Sequence, residues 1–294
     1  MAALIRQCVM LAVVAMCGFG AFVPSAQAVK PPETPKTIAE GRIQYERSCL
    51  LCHGAEGRGD GPAAFFIGAY SGPRPKDFTS GNYKLRSTPT GELPTDQDLF
   101  DTITNGIPGL MPSFSSLSEE HRWRVIFYFK TFAPAFQEKR MASLVVPDPP
   151  FRSSNDAVNR GRTLYQQHEC EYCHGPDGRG DEPEAYTNGG MTVRGILMPA
   201  PDLTHLKMYK HGTTPRDLYR TLITGMDGSP MPSYGHAFKD HQDDLWNLIY
   251  YVLSLSEKER GEAVKRCSAR PRPRPPIETI ASRSSTLSRV GGNR

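Results

Sequence analysis

Apolar positions recur at helical spacing in several separate stretches of the chain, and no stretch alternates long enough to predict a strand. Gly41 and Tyr45 stand four positions apart on one helical face, and so do Gly161 and Tyr165. Trp123, Ile126, Phe127 and Phe129 form an apolar set too wide for a surface helix, as do Trp246, Ile249, Tyr250 and Leu253. Each set predicts a buried helix packed on the first helix of its half. A shorter helix is expected to begin near Asp98 or Asp217, residue types suited to a helix start, and to stop at Gly106 or Gly225. The predicted class is all-α, with a few helices per half joined by Gly- and Pro-rich loops.

These two sets belong to a duplication. Cys52-His53-Gly54 with Gly57-Arg58-Gly59-Asp60 matches Cys173-His174-Gly175 with Gly178-Arg179-Gly180-Asp181. Asp77-Phe78-Thr79 matches Asp202-Leu203-Thr204, and Met111-Pro112-Ser113-Phe114 matches Met231-Pro232-Ser233-Tyr234. The offset stays between 119 and 125, so one domain occurs twice with small loop changes. The domains are placed at 29–140 and 158–257, with a Pro-containing linker at 141–157.

The two ends differ from this body. Arg6 is the only charge in the first 28 residues, Val9 to Val23 is apolar, and Ala26-Gln27-Ala28 has the small-x-small pattern that a signal peptidase cuts. The apolar core is shorter than the roughly 20 residues of a bilayer span, so 1–28 is expected to be a cleaved signal peptide. After Lys30 no apolar run reaches spanning length, and the mature chain is expected in the periplasm. Residues 258–294 turn Arg/Pro/Ser-rich and are expected to be a disordered tail.

Charge changes the picture once it is divided by region. The whole chain carries 35 basic and 31 acidic residues, but 257–294 alone hold ten basic and four acidic ones. Without that segment and Arg6, 24 basic residues face 27 acidic ones. The body has no cationic excess, which argues against nucleic acid as a partner. The tail's arginines could touch an acidic surface, against the simpler reading of a solvated extension.

The chemistry lies in Cys49-Leu50-Leu51-Cys52-His53 and Cys170-Glu171-Tyr172-Cys173-His174. Two thiols three positions apart can form thioethers to both vinyl groups of one haem, and the next histidine then meets the iron. A zinc ribbon needs four soft ligands per site, and each half offers two cysteines. A thioredoxin-like pair should follow a strand, whereas these follow an amphipathic helix. A disulfide would not require His53 or His174. Two covalently bound haem c groups are therefore expected, on Cys49 and Cys52 and on Cys170 and Cys173, with His53 and His174 as axial iron ligands.

Met111 lies 58 residues beyond His53, and Met231 lies 57 beyond His174, each in a Gly/Pro-rich loop ill placed for core packing. Both are expected as sixth ligands. For the second site Met191, Met198, Met208, Met226, His205 and His211 remain alternatives. His121 and His241 are expected to be solvated.

Each half resembles a class I c-type cytochrome domain, over roughly 36–132 and 157–255, and the whole resembles a tandem dihaem cytochrome c. In that family a proline carbonyl shortly after the motif accepts a hydrogen bond from the axial histidine, which the resemblance carries to Pro62 and Pro183. With six ligands per iron no position is open to substrate. The expected function is therefore electron transfer between redox protein partners, such as respiratory or dehydrogenase proteins, rather than catalysis. The alternatives are a peroxidase-like or thiosulfate-oxidising dihaem enzyme, or the cytochrome subunit of an oxidoreductase complex. Cys267, in the tail, has no assigned role.

Overall fold

The computed structural model describes residues 30–66, 74–138, 141–181, 192–193 and 196–268. The expected signal peptide, Pro183, Met191 and residues 269–294 lie outside them. Each half has the same plan: a first helix, a motif helix, a loop with a short 3-10 turn, a middle helix and a last helix. In the first half these are α1 (Pro35–Ser48), α2 (Leu50–His53), α3 (Asp96–Asn105) and α4 (Glu119–Lys130), with a short α5 (Ala135–Glu138) after them. In the second they are α6 (Asn155–Gln167), α7 (Cys170–His174), α8 (Pro215–Thr224) and α9 (Gln242–Ser268). Among the described residues the chain is all-α apart from a two-residue ladder, with Thr192–Val193 antiparallel to Ile196–Leu197, and an isolated bridge between Ile107 and Met111, both too short to show as alternation.

Local chemistry sets the helix ends. The middle helices start earlier than Asp98 and Asp217: Thr95 and Thr214 are the N-caps, and the two aspartates sit three residues on and complete reciprocal capping boxes. They stop as expected at Gly106 and Gly225, whose φ of 70° and 63° suits glycine. The last helix of the second half continues beyond Glu257 into the expected tail. Its sequence there is rich in helix formers such as Glu, Lys, Arg and Ala, with no proline before Pro271.

The first and last helices of each half cross closely, and the glycines make this possible. A Cβ on Gly41 would lie 1.9 Å from the Arg124 carbonyl oxygen, and one on Gly161 would lie 2.0 Å from that of Asn247. The aromatic faces then close two cores. One holds Tyr45, Phe78, Leu99, Trp123, Ile126 and Phe127, and the other Tyr165, Leu218, Phe238, Trp246, Leu248 and Ile249. The linker is not loose: Leu144 N–H donates to the Ser87 carbonyl at 2.7 Å and Val146 is buried in the second core. Ser154 caps α6, so the helix begins inside the span expected to be linker.

The halves meet through the loop before α3. Arg86 is fully buried and donates from Nη1 to the Tyr83 carbonyl (2.8 Å) and from Nη2 to the Thr224 carbonyl (2.7 Å). It also pairs with Asp227 at 3.0 Å. Thr90 Oγ1 donates to the same Thr224 carbonyl, and Gly91 N–H to Asp227, both at 2.9 Å. One guanidinium thus ties both halves together.

Candidate functional site

The motif helices follow the first helices with almost no spacer. In the first half Cys49 ends α1 and begins α2; its N–H donates to the Tyr45 carbonyl at 2.8 Å, and its carbonyl accepts from His53 N–H at 2.9 Å. In the second half one extra residue separates Tyr165 from Cys170. Glu169 absorbs it with φ of 55°, the one positive φ outside glycine among the described residues. Both tyrosines then lock the exit of the motif: Tyr45 Oη donates to the Gly54 carbonyl (2.7 Å) and Tyr165 Oη to that of Gly175 (2.8 Å).

His53 donates from Nδ1 to the carbonyl of Lys76, at 3.0 Å. That bond fixes the ring and leaves Nε2 as the nitrogen with a free lone pair. The acceptor is not Pro62, which begins a 3-10 turn over Pro62–Phe65. Nδ1 of His174 is buried without a hydrogen bond of ordinary geometry, and the backbone of Pro201, the repeat equivalent of Lys76, is the acceptor nearest in role. Burial pushes the His174 ring down to about 4 against the opposing pull of Pro201, and lowers His53 as well. Both imidazoles are held neutral, the form that ligates iron.

None of the four motif cysteines is joined in a disulfide. Burial raises Cys49 to about 12 and Cys170 to about 11, and it raises Cys173 too. Among the described residues no three His, Cys, Asp or Glu side chains gather as a metal cluster.

The two methionine loops are built alike. Met111 pairs with Ile107 through N–H to carbonyl bonds of 2.8 and 2.9 Å, and Phe114 N–H reaches back to the Ile103 carbonyl at 3.0 Å. In the second half Met226 N–H donates to the Met231 carbonyl (3.1 Å), and Tyr234 N–H to that of Leu222 (2.8 Å). Ser113 and Ser233 each donate from Oγ to a carbonyl of the preceding helix.

Cys49, Cys52, His53 and Met111 line the same cavity as Cys170, Cys173, His174 and Met231, a mostly apolar space of about 410 Å³ reaching across the junction. Of the alternatives for the second site, His205 is exposed beside Asp202 and Met208 is 38% exposed. Met198, Met226 and His211 also face the cavity. His121 and His241 are exposed, as expected. The residues present fit haem c: unbridged thiol pairs, a neutral histidine beside each, and a thioether in each matching loop, around one apolar space. The backbone acceptor Lys76 and its repeat equivalent Pro201 were missed in the sequence, and of the two only Lys76 accepts a hydrogen bond. Their signal is weak: each merely precedes the repeated Asp-x-Thr.

The family model described as cytochrome c oxidase, cbb3-type, subunit III matches residues 36–129 and again 156–252. Among solved structures the chain is similar to one from the reducing HAO-like protein complex of Kuenenia stuttgartiensis. The two are 36% identical with a TM-score of 0.67, over 77% of this chain and 99% of that one. No curated protein matches the chain.

Proposed function

The chain belongs to this cytochrome c family, whose domains carry covalently bound haem c and serve electron transfer, and we propose that it is an exported two-haem carrier with His/Met-ligated irons. The single observation that carries this reading is the shared cavity, lined by both Cys-x-x-Cys-His motifs and both loop methionines. When bound, haem c supplies an iron that accepts and releases one electron. His53 and His174, kept neutral by burial, would each offer a ring nitrogen to it. Met111 and Met231 would fill the remaining position, and their thioether sulfur favours the ferrous state. The mostly apolar wall would limit water at the sites, so that reduction would need little rearrangement. Export rests on the segment 1–28, whose removal would leave the carrier in the periplasm; among the described residues no helix is long and apolar enough to cross a membrane.

The likeness to a chain of a multi-protein complex favours a second, compatible reading: the carrier works as the cytochrome subunit of an oxidoreductase assembly. Spectroscopy tests the ligation. The oxidised protein should show the far-red sulfur-to-iron band at both sites. Met111→Ala or Met231→Ala should each remove about half of it and lower one potential. An intact band in either variant would refute that ligand, and peroxide turnover by the unsubstituted protein would favour the enzyme reading.

A further inference from the structure

The junction cavity carries an unbalanced charge. Arg74, Lys76, Lys84 and Lys210 line it, whereas Glu169 is the one acidic side chain among its described lining residues. Two of these cations recur in the two halves: Tyr83-Lys84 in the first resembles Tyr209-Lys210 in the second, at an offset of 126, one beyond the range of the other matches. The two lysines are half-buried and both line the cavity. Lys84 Nζ has only the Met198 sulfur as acceptor, at 3.7 Å, and neither lysine has an ion-pair partner among the described residues. A weak thioether contact does not compensate a desolvated ammonium. Burial, with the repulsion of Lys210 second, holds Lys84 down to about 8, and burial lowers Lys210 as well.

A repeated pair of cations that face one apolar cavity without counter-charges fits an anionic ligand that enters from both halves. Haem c carries two carboxylates per porphyrin, and the thioethers and axial histidines would hold the rest of each ring. We propose that Lys84 and Lys210 form one shared anchor for the porphyrin carboxylates of both halves, so that each lysine helps to set both potentials. This rests on the two-haem reading above. The junction makes sharing possible, because Arg86 clamps the segment that carries Lys84 against Thr224 and Asp227 of the other half.

The test uses the full holoprotein. Lys84→Met and Lys210→Met are compared with Lys84→Arg and Lys210→Arg by spectroelectrochemical titration, and haem content is measured for each. Removing a positive charge beside the porphyrin carboxylates should favour the ferric state by about three- to tenfold at a fixed ambient potential. Each Met variant should therefore lower both potentials, and each Arg variant should hold them near the original. Unchanged potentials in both Met variants, with two haems still bound, would overturn the anchor. Fewer than two haems in the unsubstituted chain would instead overturn the reading beneath it. Should one Met variant fail to fold, its partner lysine supplies the same comparison.

Discussion

Gly41 and Gly161 are the positions where one methyl group matters most, because the first and last helices approach there to within backbone contact. A Cβ at either place would meet a carbonyl oxygen at about 2 Å, and backbone on both sides leaves little room to yield. Gly161→Ala should cost about 3 kcal/mol of unfolding free energy, read from the shift of the denaturant midpoint. A cost under about 0.5 kcal/mol would mean that the helices do not cross as described. The two Cys-x-x-Cys-His motifs were legible in the sequence because each is contiguous, and one helical turn brings its parts together. The histidine's acceptor was not. Lys76 accepts through its backbone, 23 positions from His53, and a carbonyl's role leaves no mark on side-chain identity. The resemblance therefore pointed to Pro62, and the fold supplied Lys76.

Helix ends show the same division. Gly106 and Gly225 were readable as stops, since positive φ favours glycine. The starts were misplaced by three residues, because Asp98 and Asp217 are good caps in isolation but act here as partners of Thr95 and Thr214. The extension of the last helix to Ser268 was hidden by its charged composition, which resembles a solvated tail. At the start of α3, Asp96 joins three elements: it accepts from Lys130 at the end of α4 (2.8 Å) and from Lys30 before α1. Burial would raise its carboxyl, but the hydrogen bonds from Lys130 and Lys30 outweigh this and hold it below 3.8. Its contribution is thus fully present above about pH 4 and fades as the pH falls through the lowered folded value. Asp96→Asn should cost about 1 kcal/mol at pH 7, and the gap to the unsubstituted protein should close in acid. Unfolding curves at pH 7 and pH 3 check it; a gap that widens toward pH 3 would contradict the assigned sign.

For the whole molecule, the duplication was plain in the sequence, but the way its copies meet was not. An interface between repeats has no period, and Arg86 looks like any loop arginine until the structure buries it against Thr224 and Asp227. Arg86→Met would take the cation from Asp227, leaving it the Gly91 N–H, and leave the Thr224 carbonyl to Thr90 alone, at a cost of about 3 kcal/mol. Calorimetry should then resolve two transitions in place of one; a single transition at the original temperature would mean that the clamp is dispensable. The count of haems decides the rest. Measured together, the haem-to-protein ratio from pyridine haemochrome spectra and the intact mass of the purified chain test the account most directly. It predicts two haems per chain, lost one at a time in Cys52→Ser and Cys173→Ser, whereas a ratio near one or none in the unsubstituted protein would contradict it.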